Sequence, residues 1–423
     1  MSYTVSPEIR ASFEKALGIP EVQKAFEWIR ENYPADLEEH KAFIACEAPT
    51  GCEQARARMY ADKLAAAGLT DVKVDEYTNV TGWWKGSGCG PVLMIEAHLD
   101  TVFPYGSVKE ILDNGEEIHA PGATDDTRGL TAILDALRAM KAAGLKPAGD
   151  ILFAATSREE GIGGFGGMKD MLAHGPRLDA SISVDGASTE CVACEATGIR
   201  TFSVTFHGIG GHACSDFARV ANPLHAAARA VAKIADFEVP SEPMTTFAVT
   251  NFHAGNMAGI HAIVPEATIK FNFRSNRQEE LDRLGERIFA AVQEACDEET
   301  SRWGKDTITW DREVYCYSPA GQEDHHLPIV EAGVLAARYF SPDPLEEPIR
   351  KGGSVNGNMA IGAGIPCITI GGGPLNKKIH SMEEYFPYKE GWRLSEEIVL
   401  LLCMCAGVEG KLSPIITKRA EKQ

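Results

Sequence analysis

Two histidines and several carboxylates lie in turns that follow or join short apolar segments of the chain. In sequence order they are His98, Asp100, Asp125, Glu159, Glu160, Asp185 and His380. Imidazole nitrogen and carboxylate oxygen together suit divalent cations, whereas carboxylates gathered in one cleft without a cation would repel one another. The set therefore predicts a metal site.

Each fragment also has an ordinary structural interpretation. A histidine at a strand end is more often a hydrogen-bonding partner than a ligand. Asp125 and Asp126 stand directly before a predicted helix, so they could cap it and complement its dipole. The acid pair at 159–160 could be solvated at a turn, and Asp-Gly at 185–186 is a common turn signal. Only the combination favours the metal.

The segments that must hold these side chains alternate between strand-like and helix-like patterns. Residues 92–97, 151–156 and 180–184 are short and apolar, as strands buried on both faces would be. A helical periodicity at 130–140 separates the first two, and a Cys-Ile-Thr-Ile strand follows much later at 367–370. This order predicts a parallel α/β sheet, whose ligand crevice lies at the carboxyl ends of the strands.

The pattern changes after about residue 198. Segments then follow in the order β-α-β-β-α-β, at 201–206, 223–237, 246–252, 267–273, 278–297 and 307–310. This order is the split unit of a ferredoxin-like α+β domain. We therefore expect two domains, a discontinuous one formed by residues 1–195 and 315–423, and one inserted at 196–314.

The composition limits the possible partners and compartments. With 423 residues, 44% of them hydrophobic, the chain exceeds the usual size of a single core. Its formal net charge, 41 − 60 = −19, disfavours nucleic acid and anionic membrane as partners, so we expect a small substrate.

The cysteines and the apolar runs predict an unexported protein. The sequence shows no secretory signal pattern and no apolar run of membrane-spanning length. Its eleven cysteines are scattered, so we expect reduced thiols in the cytoplasm. A single Cys-x-x-Cys at 191–194 supports neither a closed zinc site nor a redox motif.

Several short motifs occur in an order typical of one family. They are His-Leu-Asp-Thr at 98–101, Gly-x-x-Asp-Asp-x-Arg-Gly at 122–129, Glu-Glu-Gly at 159–161, Val-Asp-Gly at 184–186, Gly-Gly-His-Ala at 210–213 and the late His380. In this the chain resembles the dinuclear zinc exopeptidases and deacylases, which include peptidase T, carboxypeptidase G, aminoacylase, acetylornithine deacetylase and succinyl-diaminopimelate desuccinylase. The resemblance implies an α/β/α zinc-exopeptidase catalytic domain with an inserted ferredoxin-like dimerisation (lid) domain.

The resemblance also implies a role for each residue of the site. His98 and Asp185 would bind one Zn²⁺, and Glu160 and His380 the other. Asp125 would bridge the two ions, in a loop where the family often has a cis peptide bond to the next residue.

Two acids would act beside these ligands. Asp100 would orient His98, and Glu159 would be the general base. The resemblance thus implies two Zn²⁺ per chain, for which Co²⁺ or Mn²⁺ could substitute.

For the inserted domain, the resemblance implies a homodimer. His212 would stabilise the oxyanion in the partner's site, and Arg274 would grip a substrate carboxylate. Two loops depart from the family pattern, where His261 replaces an asparagine and Asn356 stands in a loop that usually holds an aspartate. Both loops touch substrate in relatives, so we expect His261 and Asn356 to contact it here, with a specificity that cannot be copied across.

Three functions remain open at this point. The leading one is a zinc-dependent exopeptidase that hydrolyses short peptides. The second is an N-acyl amino acid or related amide deacylase with the same metals and base. The third is a non-catalytic, metal-binding dimeric scaffold, against which the complete ligand set and Glu159 argue.

Overall fold

The computed structural model describes residues 3–88, 90–186, 189–256, 259–303, 308–350, 352–371 and 378–419. The chain divides into two compact units, one formed by residues 1–196 and 322–423 and the other by residues 197–321. Among the described helices, none combines the length and the apolar character that a membrane crossing requires.

The helices and strands are numbered here in chain order. The helices are α1 Pro7–Leu17, α2 Pro20–Ala45, α3 Gln54–Ala66, α4 Thr127–Ala142, α5 Gly166–His174, α6 Pro223–Ala235, α7 Gln278–Trp303, α8 Pro328–Phe340, α9 Gly357–Gly362 and α10 Trp392–Ala406. The strands are β1 Thr70–Val74, β2 Val80–Trp84, β3 Val92–His98, β4 Leu112–Asp113, β5 Glu117–His119, β6 Asp150–Thr156, β7 Ala180–Val184, β8 Val192–Ala193, β9 Glu195–Ala196, β10 Gly198–His207, β11 Gly211–His212, β12 Thr245–Ala254, β13 Ala262–Ile263, β14 Glu266–Ser275, β15 Thr309–Ser318, β16 Gly321–Gln322, β17 Ile349–Arg350, β18 Cys367–Ile370 and β19 Tyr385–Pro387.

An eight-stranded sheet forms the centre of the first unit, in the order β1-β2-β6-β3-β7-β18-β8-β17. Its middle is parallel, since β3 pairs in parallel with β6 and β7, and β18 with β7. These strands are buried almost throughout, which explains their continuous apolar sequences. The predicted parallel α/β pattern is confirmed, and the carboxyl ends of β3, β6, β7 and β18 lie at one edge.

Helix α4 anchors the loop that precedes it. The Asp126 side chain caps the helix, because its Oδ1 accepts the backbone N–H of Gly129 at 3.2 Å. Leu130, Ile133 and Leu137 are fully buried, and each such side chain contributes roughly 1.5–3 kcal/mol of burial free energy. The capping interpretation is therefore correct for Asp126. The preceding residue, Asp125, does not cap the helix through its side chain.

A buried ion pair fixes the same helix to its neighbours. Arg128 is fully buried, and its Nη1 donates to Asp36 Oδ2 of α2 at 2.6 Å. Its Nη2 donates to the carbonyl oxygen of Gly391, directly before α10. The arginine of the Gly-x-x-Asp-Asp-x-Arg-Gly motif therefore acts in packing, where it joins three helices.

The second unit has a four-stranded antiparallel sheet in the order β12-β14-β10-β15. Its elements follow the predicted β-α-β-β-α-β order as β10, α6, β12, β14, α7 and β15. Phe202, Phe206, Phe271 and Phe273 form its core with apolar residues of the two helices. The expected boundary at 314 falls inside β15, which pairs with β10 as far as Ser318. Residue 307, the predicted start of this strand, lies outside the described residues.

Candidate metal centre

Parallel strand ends bring the predicted ligands together. His98 is the last residue of β3, the pair Glu159 and Glu160 follows β6 closely, and Asp185 comes directly after β7. His380 follows β18 at the same edge, and Asp125 lies in the loop before α4. Because neighbouring parallel strands end side by side, residues up to 282 positions apart in sequence meet in one cleft.

The Asp125 carboxylate lies between the two histidines. Its Oδ1 is 2.8 Å from His98 Nε2, and its Oδ2 is 3.0 Å from His380 Nε2. The same His380 nitrogen lies 2.9 Å from Glu160 Oε1. Each oxygen of one carboxylate thus faces a different imidazole, which is the arrangement that a bridging ligand requires.

Two overlapping groups of donors share His98. Donor atoms of His98, Asp125 and Glu160 all lie within 4.8 Å of one another, as do those of His98, Glu159 and Asp185. All five residues are buried or nearly so, and imidazole with carboxylate is a donor set that zinc and related cations accept. The residues present therefore fit a pair of divalent cations.

The charges of the cluster also favour the binding of divalent cations. Burial raises the pKa of Asp185 to about 8, with the charge of Asp125 adding to the rise, and burial likewise raises the pKa of Glu159 well above its usual value. Contacts with Asp125 and then Glu160 raise the pKa of His380 to about 10. Positive charge lowers the electrostatic cost of gathering carboxylates in one buried cluster, and divalent cations would supply it.

Asp100 organises the turn that carries the two glutamates. Its Oδ1 accepts the backbone N–H of Glu159 at 2.9 Å, its Oδ2 accepts that of Glu160 at 3.0 Å, and the Thr50 hydroxyl also donates to Oδ2. The sequence predicted that this carboxylate would orient His98. His98 Nδ1 lies closer to the Asp100 carbonyl oxygen, at 2.9 Å, than to the carboxylate, at 3.6 Å. Both the carbonyl oxygen and the carboxylate of Asp100 thus face His98 Nδ1, and the carboxylate also holds the two glutamates.

Glu384 holds the loop of Asp125 in a similar way. Its buried carboxylate accepts three backbone N–H groups, from Gly122 at 3.1 Å, Thr124 at 2.8 Å and Asp125 at 3.0 Å. Sequence reasoning missed this residue. The available signal was its position four residues after His380, in a turn already assigned to the site.

The peptide bond between Asp125 and Asp126 is cis, as the resemblance implied. Asp126 Oδ2 accepts the backbone N–H of His98 at 3.0 Å. The second acid of the pair therefore joins the end of β3 to the start of α4, while the first faces the histidines.

Comparison with known proteins identifies the family to which this arrangement belongs. Residues 94–402 match the model of Peptidase family M20/M25/M40. The chain belongs to this family. Membership makes it a metallo-hydrolase of peptide or other amide C–N bonds, and it confirms the resemblance seen in the motifs.

Individual relatives are distant but similar over most of their length. The chain is 28% identical over 356 residues to a succinyl-diaminopimelate desuccinylase of Xanthomonas oryzae, covering 79% of this chain and 88% of the relative. A Staphylococcus aureus tripeptidase structure has a TM-score of 0.71 at 22% identity, covering 90% of this chain and 97% of its own. A dinuclear metal-binding M20 peptidase of Bacillus subtilis has a TM-score of 0.64 at 14% identity, covering 89% and 99%. The M20 family is dinuclear and metal-dependent, and the two structures share this fold.

Three of the predicted site residues of this M20 chain belong to the second unit. His212 is exposed on β11, its backbone N–H donates to Asp216, and its Nδ1 accepts the backbone N–H of Cys214 at 3.2 Å. Arg274 is exposed on β14, with Nε donating to the side chain of Asn272 at 3.2 Å. His261 is exposed directly before β13.

Asn356, which we expected to contact substrate, is instead buried. Its side-chain nitrogen donates to Thr156 Oγ1 at 2.8 Å and to Glu96 Oε2 at 3.1 Å. A buried carboxylate needs such a donor, and the amide of Asn356 supplies it. The neighbouring Ser354 and Val355 line the cleft in its place.

The cleft above the cluster is small. Its volume is about 240 Å³, below the range usual for drug-sized ligands. Beyond the acids and His380, its wall includes Cys191 and Arg350, neither of which sequence reasoning assigned to the site.

Proposed function

We propose that this M20 enzyme is a dinuclear zinc exopeptidase that hydrolyses short peptides. The observation that carries the proposal is the Asp125 carboxylate, with one oxygen facing His98 and the other facing His380. We assign two Zn²⁺ to each chain because imidazole and carboxylate are typical zinc ligands, and Co²⁺ or Mn²⁺ could replace them.

His98 and Asp185 would hold one ion, and Glu160 and His380 the other, with Asp125 shared. The contacts of 2.8–3.0 Å among these side chains support this assignment. When bound, the ions would polarise the scissile carbonyl and lower the pKa of a water molecule.

Glu159 would move the proton. It shares a donor group with His98 and Asp185, and it is 7% exposed. A carboxylate placed beside the metal ligands in this way can act as a general base. In the proposed reaction a carboxylate oxygen of Glu159 accepts a proton from the attacking water and delivers it to the leaving nitrogen. The new C–O bond forms first and gives a tetrahedral intermediate, and the C–N bond then breaks as the leaving nitrogen takes the proton.

Two observations bear on the substrate. The 240 Å³ cleft suits a short substrate, and the solved neighbours include the tripeptidase and the Bacillus cereus aminopeptidase PepT, with a TM-score of 0.70 at 20% identity, over 87% of this chain and 97% of that one. The alternative is an N-acyl amino acid deacylase, which the 28% identity to succinyl-diaminopimelate desuccinylase supports. A non-catalytic scaffold has no support from family membership.

A substrate panel tests the proposal. The zinc-loaded protein should be assayed against di- and tripeptides and, at equal concentration, against N-acetyl and N-succinyl amino acids. Exopeptidase function predicts faster hydrolysis of the peptides. Preferential hydrolysis of the N-acyl amino acids would favour the deacylase, and hydrolysis of neither class would contradict both.

For the second unit we propose the role of a dimerisation (lid) domain, with the first unit as the catalytic domain. In a homodimer His212 would serve the partner's site, while Arg274 and His261 would contact substrate. Support comes from family membership and from the exposure of all three side chains. Neither nucleic acid nor membrane is a proposed partner. The cytoplasm is the proposed compartment, on the strength of the scattered cysteines.

A further inference from the structure

Arg350 extends toward the metal ligands from the edge of the central sheet. It ends β17, the edge strand, which lies three strands from β7 in the sheet order. Its Nη1 nevertheless lies 3.5 Å from the point where a Cβ atom would stand on Gly186, the residue after the ligand Asp185. The guanidinium therefore reaches the wall of the catalytic cleft.

The backbone that carries Arg350 is held by strand pairing. Arg350 pairs with Ala193 of β8, and Ala193 pairs in turn with Thr369 of β18. All three residues line the cleft. The sheet itself thus sets the position from which the side chain extends.

In the part of the chain that the structure describes, no carboxylate pairs with the charge of Arg350. Among the described residues, none forms an ion pair or a hydrogen bond with its side chain, although four acids line the same cleft. The charge of Arg350 acts on the half-buried thiol of Cys191, whose pKa is raised by burial and lowered by this charge. An exposed guanidinium keeps all of its donors free for a ligand.

Arg350 determines the net charge of the cleft once two divalent cations are bound. Asp125, Glu159, Glu160 and Asp185 line the cleft with four negative charges, and two divalent cations would cancel all four. Arg350 then supplies a net positive charge, because a guanidinium stays protonated. Such a wall attracts an anionic group, and the planar guanidinium binds a carboxylate through two parallel hydrogen bonds.

We propose that Arg350 binds a carboxylate of the substrate, so that the enzyme selects amides that carry a negative charge. This inference rests on the proposed hydrolytic function and adds a substrate class to it. The carboxylate has two possible sources, the C-terminus of a short peptide or the free end of a dicarboxylic acyl group. Their shared chemistry is a planar anion beside the scissile bond.

Paired substrates separate selection from general loss of activity. Wild type and Arg350→Gln, both zinc-loaded, should be assayed on a tripeptide and its C-terminal amide, and on N-succinyl and N-acetyl forms of one amino acid. We expect the substitution to lower kcat/KM by about 10- to 100-fold for the charged member of at least one pair, since hydrogen bonds between ions are strong ones. The neutral member should change by less than about threefold. The pair that responds identifies the source of the carboxylate.

Two further variants sharpen the comparison. Arg350→Lys keeps the charge but loses the two-pronged geometry, so it should recover only part of the selectivity. Arg10→Gln, on the exposed surface of α1, removes an arginine elsewhere and should behave as wild type. Equal losses on charged and neutral substrates in Arg350→Gln would overturn the proposal.

Equilibrium binding keeps this test separate from the proposed function. Calorimetry with succinate and with succinamate, in which one carboxylate is a carboxamide, needs no turnover. Wild type should bind succinate at least about tenfold more tightly, and Arg350→Gln should bind both alike. If wild type hydrolyses nothing yet shows this preference, the proposed function fails and the carboxylate site stands. If both proteins show the same preference, the carboxylate site fails whatever the enzyme hydrolyses.

Discussion

The carboxylate of Asp100 accepts the backbone N–H of Glu160 at 3.0 Å, and its other oxygen accepts the preceding backbone N–H at 2.9 Å. An aspartate two residues beyond one ligand therefore fixes the turn that carries another ligand and the proposed base. The relationship gives a structural role to a buried acid that does not line the cleft, beside the four acids that do.

Replacing this acid should loosen the turn. In Asp100→Asn one acceptor oxygen becomes an NH₂ group, which would face a backbone N–H. We expect zinc affinity or kcat to fall by about 10- to 100-fold, as for other residues that hold metal ligands. Chelator competition and steady-state kinetics would measure the two effects.

Thr50→Val provides the matched control for Asp100. It removes a third hydrogen bond to the same carboxylate without touching either glutamate N–H. Its effect should be less than about threefold. An Asp100→Asn protein with wild-type zinc affinity and turnover would show that the turn holds its shape without the carboxylate.

Glu384 offers a second test of positioning. Glu384→Gln replaces one of the oxygens that accept the N–H groups of Gly122, Thr124 and Asp125. We expect zinc to bind at least about tenfold more weakly, because Asp125 is the shared ligand. The adjacent Glu383 is exposed and its carboxylate forms an ion pair with Lys378 at the surface, so Glu383→Gln is the control. Equal zinc affinities in the two variants would count against the role of Glu384.

Sequence reasoning found the elements that have a strong local signal. The strands expected at 92–97, 151–156 and 180–184 are observed as β3, β6 and β7 to within one residue at each end, because burial on both faces requires continuous apolar sequence. The predicted helix around 130–140 is α4, extended by two or three residues at each end.

The features that the sequence did not reveal depend on contacts between residues that are far apart along the chain. Strand β17 has two residues and no periodicity, so nothing local indicated that Arg350 reaches the cleft. The hydrogen bonds of Glu384 join residues about 260 positions apart. Asn356 was assigned to substrate by resemblance, but its fit beside Glu96 depends on packing that no motif encodes.

A buried acid away from the site should make stability depend on pH. Glu397 in α10 is fully buried, and burial alone raises its pKa from 4.5 to about 8. The folded state therefore binds a proton more tightly than the unfolded state. Its stabilising contribution is complete below pH 4.5 and is lost as the pH rises toward 8.

Glu397→Gln should remove this dependence. Thermal unfolding should show equal stability for the variant and wild type near pH 4.5. At pH 8 and above the variant should be more stable by up to a few kcal/mol. Comparing the two proteins at each pH cancels the effects of metal loss in acid. An identical pH profile for both would mean that the carboxylate titrates normally.

Dimerisation and the exchange of His212 form one linked prediction. Light scattering at micromolar concentration should report a homodimer, and Glu159→Ala and His212→Ala should each be inactive alone. Mixing them should restore about a quarter of wild-type activity, because half the dimers are mixed and one of their two sites is intact. A monomer, or a mixture without recovered activity, would contradict the exchange.

The most direct test of the account compares Glu159→Ala with Glu160→Ala, since one turn gives these neighbours different tasks. With Glu159→Ala, elemental analysis should still find about two zinc ions per chain, while kcat falls by roughly 10²–10⁴-fold with little change in KM. With Glu160→Ala, both zinc content and kcat should fall. Wild-type turnover in zinc-loaded Glu159→Ala, on the best substrate of the panel, would contradict the assignment of Glu159 as the base.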